Sequence, residues 1–208
     1  MKKFKEPIIK DNLNITNIND IDIEDKIYDC LFENSECNIK INNAEFNGCV
    51  FNNINFNKYP ISNTDFIDCK FEACDLSNFD INGKLILRCF FNNCSLVGTS
   101  ITESSIKQTT FNECNLKYIN LSSFFKDVSF SQCNMGNIRL FENKFNNVII
   151  DNCDLTNCEV YNTKLDGIDL SNCTLDGINA DTESIKGVTT DIAGAINLVR
   201  LLNINVKL

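Results

Sequence analysis

From Phe46 onward an apolar residue returns every five positions. The series runs through Phe51, Phe56, Ile61, Phe66, Phe71, Leu76, Ile81, Ile86, Phe91, Leu96, Ile101, Ile106, Phe111, Leu116 and Leu121. It shortens once to four at Phe125. It then resumes through Phe130, Met135, Leu140, Phe145, Ile150, Leu155, Val160, Leu165, Leu170, Leu175, Ala180 and Ile185. A period of five fits neither an α-helix nor a simple strand. It describes a chain that turns one corner per repeat.

The residue two before most centres is also small or apolar, as in Ala44-Glu45-Phe46, Thr64-Asp65-Phe66, Cys74-Asp75-Leu76 and Cys153-Asp154-Leu155. The remaining positions are mostly Asn, Asp, Ser, Thr or Gly. Two side chains per pentad therefore point inward and three outward. Several outward positions are nonetheless apolar: Val50, Ile67, Leu85, Leu87, Phe90, Phe124 and Ile149. They read as a partner surface or as contacts for the N-terminal segment.

Over roughly residues 30 to 190 this pattern resembles the pentapeptide-repeat family. The resemblance implies an all-β fold, a right-handed quadrilateral β-helix with four pentads per coil and about nine coils. A second period of twenty should follow. Cys49, Cys69 and Cys89 keep it, as do Cys74, Cys94 and Cys114; Cys133, Cys153 and Cys173 continue that column one residue out of step. Phe51, Phe71, Phe91, Phe111 and Phe130 form a ladder of centres, and Leu76, Leu96, Leu116, Met135, Leu155 and Leu175 another.

This placement explains the 12 Cys. Stacked coils would bring them within disulfide range, but with parallel Cβ vectors, so reduced thiols buried as small hydrophobes are expected. Pairs five apart, such as Cys69 and Cys74, fall on neighbouring faces and make a poor zinc site. With no His in the chain there is no Ser-His-Asp triad, Cys-His pair or His metal ligand. The start, Met1-Lys2-Lys3-Phe4-Lys5-Glu6-Pro7, lacks the apolar stretch of a signal peptide, and no run approaches a membrane span. The expectation is a cytoplasmic protein with no cofactor, no metal and no membrane contact. Convex rods lack an enclosing pocket, so no enzymatic activity is expected.

Three segments are expected: an N-terminal cap with degenerate coils (1–29), the β-helix (30–190) and a C-terminal dimerisation helix and strand (191–208). Leu13, Ile18, Ile23 and Tyr28 keep the pentad spacing loosely; Phe32 and Cys37 follow, and a second four-residue step leads to Ile41. Lys84 falls at an inward position, so the coil bulges there or the side chain reaches outward along its stem. Asp191 is a good N-cap for a helix carrying an apolar stripe of Ile192, Ala195, Ile196, Val199 and Leu202, with Asn203 to end it. Leu198 and Leu201 widen that apolar face. Ile204 to Leu208 alternates like a strand.

Charge is uneven. The chain carries a net charge of -9, and residues 151 to 191 alone carry -7. About two coils make roughly 10 Å of rod, so the local density is about -0.7 charge per Å, against about -0.6 for duplex DNA. Such an acidic balance argues against nucleic-acid binding. The last 55 or so residues resemble the quinolone-resistance branch of the family, the Qnr and MfpA type. That resemblance implies a homodimer joined through Ile192, Ile196, Leu198, Val199, Leu201, Leu202 and Val206. It also implies a DNA-mimicking acidic surface for DNA gyrase or topoisomerase IV, here Asp151, Asp154, Glu159, Asp166, Asp169, Asp176 and Asp181. Modulated topoisomerase activity and quinolone resistance are the implied outcomes. The register from Phe46 to Ile185, with one contraction and no insertion, leaves no room for the projecting loops that support protection in some members. The alternative is an interaction scaffold with an unrelated protein partner.

Overall fold

A computed structural model describes residues 4–22 and 26–207. Ile23 and Leu208, used in the expectations above, lie outside these residues. The chain winds into a parallel β-solenoid of about 8 turns, against the nine expected, closed by one C-terminal helix. From Phe46 to the contraction each strand pairs in parallel with one twenty residues on: Phe51 faces Phe71, Phe71 faces Phe91, and Phe91 faces Phe111. Across the contraction the offset falls to nineteen, pairing Phe111 with Phe130, and it then returns to twenty, pairing Phe130 with Ile150.

The rod has four faces, each named here by one of its centres. The Phe51 column stacks almost face to face, with ring centroids 4.5 Å apart for Phe51–Phe71, 4.6 Å for Phe71–Phe91, 4.8 Å for Phe91–Phe111 and 5.0 Å for Phe111–Phe130. Coil spacing imposes this stacking, since in-register parallel strands repeat every ~4.8 Å. The Phe66, Leu76 and Ile81 faces complete one continuous core. All twelve cysteines are free, and ten are buried. Burial pushes the Cys158 thiol up to about 12.

Corners need a residue with positive φ, a region that Asn and Asp tolerate best among residues with a side chain. Asn53, Asp68, Asn78, Arg88, Asn93 and Gln108 take it, among many others. At the four-residue step the strand carrying Ser122 to Phe124 has one residue fewer than its neighbour carrying Thr102 to Ser105. Glu103 has φ 52° in that neighbour, and the shortened corner has no such residue. The step deletes the left-handed corner residue and leaves both flanking strands in register.

A hydrogen-bonded polar column runs inside one corner. Ser104 Oγ accepts the Lys84 N–H at 3.1 Å, Ser123 Oγ the Ser104 N–H at 3.0 Å, and Asn143 Oδ1 the Ser123 N–H at 2.9 Å. Thr163 Oγ1 and Ser184 Oγ extend it, accepting from Asn143 and Thr163. Lys84 heads the column by sending its ammonium outward to Asn43 Oδ1 at 3.4 Å and Asp65 at 3.9 Å, without a bulge of the chain. Near the C-terminal end, Ser184 takes the inward place that strict spacing assigns to Glu183, because a turn capped by Asp181 shifts the chain by one residue.

The first strand, Asn14–Ile15, pairs with Cys30 and Leu31, and Lys26–Tyr28 pairs with Glu45–Asn47. The expected terminal strand is absent: residues 204–207 form none. Ile204 and Val206 are exposed, and the last paired strand, Asn179–Ala180, lies before the helix.

Candidate functional site

The acidic residues singled out above lie on all four faces of the terminal coils rather than on one. Asp151 and Asp169 are on the Phe51 face, in the columns of Ser131 and Thr189. Asp154 and Asp176 lie on the Leu76 face, Asp154 beside Asn134 and Thr174. Glu159 and Asp181 lie on the Ile81 face, where Glu159 pairs with Arg139 at 3.3 Å. Asp166 follows Leu165 on the Phe66 face. The result is an acidic collar around the end of the rod.

Most of these carboxylates also hold the collar together. Asp154 Oδ1 accepts the Thr156 N–H at 2.9 Å and Asp169 Oδ1 the Ser171 N–H at 2.9 Å, both two-residue Asx turns. Asp151 accepts from Asn172 Nδ2 at 3.1 Å. The Ser171 hydroxyl and N–H hold Asp169 below the usual carboxylate range. Burial alone would raise Asp181, but the Ser184 hydroxyl and the N–H groups of Asn162 and Ser184 outweigh it and keep this carboxyl low as well. Both groups are therefore firmly ionised at neutral pH. Asp166 stands exposed beside Gly187, whose φ of 75° suits glycine and where a Cβ would collide with the Asp166 carboxylate.

The helix Ile192–Arg200 sits directly on this collar. Asp191 caps it, its Oδ1 accepting the Gly194 N–H at 2.8 Å. Asn203, with φ 56°, stands in the turn that follows it. Gly194 is buried against Leu175 and Thr190, and Leu198 packs on the core, so these two positions form the plug. Asp176 ties the helix down by accepting from Asn197 Nδ2 at 2.9 Å. The expected stripe therefore divides. Ile196, Val199 and Leu201 are half-buried, while Ile192, Leu202 and Val206 are exposed, Ile192 at 81%. Leu198, expected at a dimer contact, is largely spent on the plug.

The N-terminal segment is a surface element, in line with the reading of the outward apolar residues as its contacts, although its path and polar anchors left no mark in the sequence. Residues 4–10 run outside the solenoid along the corner between the Phe66 and Phe51 faces. Asp68 at that corner is only 5% exposed. Its Oδ1 accepts the Ile8 N–H at 3.0 Å, and its carboxylate takes Arg88 in a fork, Nε at 2.7 Å and Nη2 at 2.6 Å. Lys10 reaches Asp29 at 2.6 Å. The only advance signal was the excess of outward apolar residues on the neighbouring coils. Among the described residues no helix is long and apolar enough to cross a membrane, and no group of three or more potential ligands could hold a metal ion.

No protein-family model and no curated protein sequence matches this chain. Solved structures do. Full-length QnrB1, a plasmid-mediated fluoroquinolone resistance protein, is similar with a TM-score of 0.50 and 16% identity, covering 86% of this chain and 99% of QnrB1. HetL, a pentapeptide-repeat protein of the cyanobacterium Nostoc involved in regulating heterocyst differentiation, is also similar. Its TM-score is 0.28 and its identity 11%, covering 81% of this chain and 89% of HetL. The fold of this chain is the pentapeptide-repeat β-solenoid.

Proposed function

We propose that the protein binds a type II topoisomerase, DNA gyrase or topoisomerase IV, as a DNA mimic and modulates its activity, quinolone resistance being one outcome. One observation carries the reading: a collar with a net charge of -7 over residues 151 to 191 lies directly beneath a helix that leaves Ile192 and Leu202 exposed. Pairing two rods end to end through that helix and tail would set the two collars on either side of the junction and double the length of the acidic stretch. Ordered carboxylates at DNA-like density would enter the basic groove that receives phosphates, and added salt should weaken the complex. The likeness to QnrB1 supports the fold this mechanism requires.

The test is a supercoiling titration of purified gyrase with the protein, with and without ciprofloxacin. The reading expects reduced supercoiling, or relief of drug-stabilised cleavage, at stoichiometric concentrations. No effect on either removes it.

A second reading, a scaffold for an unrelated protein, is favoured by the apolar outward columns. Val50, Phe90 and Ile149 share one column of the Phe51 face, while Ile67 and Leu87 share a column of the Phe66 face, as do Leu85 and Phe124. DNA mimicry has no use for them. A monomer in light scattering at micromolar concentration favours this second reading.

A further inference from the structure

All seven outward apolar residues lie on the two faces that flank the corner followed by residues 4–10. A groove of about 640 Å³ opens on the Phe51 face beside this strap. Phe4 and Pro7 form one wall, Phe90 and Ile149 line the floor, and Asp151 and Asp169 stand at the far end. Among the described residues neither aspartate makes an ion pair. From the coil of Phe90 to that of Asp169 the groove spans four coil steps, about 19 Å, or about six residues of extended chain.

The strap shows what chemistry this surface accepts. An aromatic residue, Phe4, lies in the groove; a backbone N–H, from Ile8, meets a corner carboxylate; and a cation, Lys10, meets another. The strands beneath already pair on both sides within the solenoid, so a visiting chain cannot add as a strand. Recognition must come from side chains and corner carboxylates. We propose that the Phe51 face is a binding groove for an extended peptide of another protein, one carrying an apolar residue and a nearby Lys or Arg. Residues 4–7 occupy part of the groove in cis, held there by the Ile8 and Lys10 contacts to Asp68 and Asp29, and compete with that partner. Asp151 and Asp169, which accept hydrogen bonds but make no ion pair among the described residues, would receive the partner's cation.

The probe is a fluorescein-labelled peptide of residues 4–13, read by anisotropy against the full chain. A full-length variant with Phe4→Asp and Ile8→Pro, which removes the aromatic anchor and the N–H given to Asp68, should bind it at least about tenfold more tightly than the parent, because the cis competitor is gone. Adding Asp29→Lys, which removes the carboxylate that takes Lys10 in the strap, should reverse that gain, and a peptide with its lysines changed to Glu should not bind. If the strap variant loses its far-UV spectrum, hydrogen exchange decides on the parent protein. Saturating peptide should then speed exchange at residues 4–10. No binding to a folded strap variant, equal binding of the acidic peptide, or unchanged exchange overturns the proposal. The assay contains no topoisomerase, so its result is independent of the topoisomerase reading.

Discussion

Asn143→Val and Asn143→Thr place the same branched shape at the centre of the internal polar column and differ only in a hydroxyl. Asn143 is 5% exposed, and its Oδ1 accepts the Ser123 N–H at 2.9 Å while Nδ2 donates to the Leu121 carbonyl at 2.8 Å. Threonine keeps an oxygen for the N–H, as Ser123 Oγ serves Ser104 one coil earlier, and a hydrogen for the carbonyl, as the Ser123 hydroxyl serves Ile101 at 3.1 Å. Valine keeps neither. A buried N–H left without an acceptor costs about 1–3 kcal/mol, and the lost carbonyl contact adds about 1 kcal/mol. The extra apolar burial of valine offsets roughly 1 kcal/mol. The valine variant should therefore be about 2 kcal/mol less stable than the threonine variant, and at this chain length that lowers Tm by about 4–8 °C. Thermal melts followed by far-UV circular dichroism read the difference directly. Variants that melt together would refute the claim that this column holds the corner through accepted N–H groups.

Other consequences are open to simpler checks. Arg88→Met leaves the nearly buried Asp68 without its cation. Because a quarter of the Arg88 side chain is exposed, the cost should be about 2–3 kcal/mol in a denaturant melt, below that of a fully buried pair. Asp169 and Asp181 titrate below their unfolded values, so the stability they give is complete above about pH 4 and is lost as pH falls through their folded values. Exchange protection in the terminal coils should accordingly fall as pH drops below about 4. Ellman's reagent should find all 12 thiols only in denaturant, because only Cys30 and Cys173 are partly accessible in the native fold and burial pushes both up to about 11. Ile192→Asp with Leu202→Asp should turn a dimer into a monomer in light scattering while leaving the β-solenoid spectrum unchanged.

The solenoid was readable because its core is strictly periodic. A side chain that must face inward every fifth residue leaves a trace that survives even the four-residue step at Phe125. The polar column was half readable. Thr64, Ser104, Ser123 and Thr163 were visible as small inward residues, but spacing alone does not reveal that each oxygen of the column from Ser104 onward receives an N–H from the preceding coil. The strap left no periodic trace, since residues 4–10 bind through one N–H, one ammonium and one aromatic ring. Alternation in Ile204 to Leu208 reads as a strand, yet a strand also needs a partner strand to pair with, and residues 204–207 pair with none. At the acidic end the sequence located the charge correctly along the rod. It did not reveal how many of those carboxylates also tie the chain, with Asp154 and Asp169 closing turns, Asp181 capping one and Asp176 anchoring the helix.

The central claim is that the acidic collar takes the place of a DNA duplex on a type II topoisomerase. The most direct measurement is competition on purified gyrase between this protein and a fluorescent duplex, read by anisotropy at two salt concentrations. The account expects the protein to displace the duplex, less effectively at higher salt. Displacement should disappear in the Asp166→Lys, Asp176→Lys variant. A protein that fails to bind gyrase, or that binds while the duplex stays in place, would contradict it.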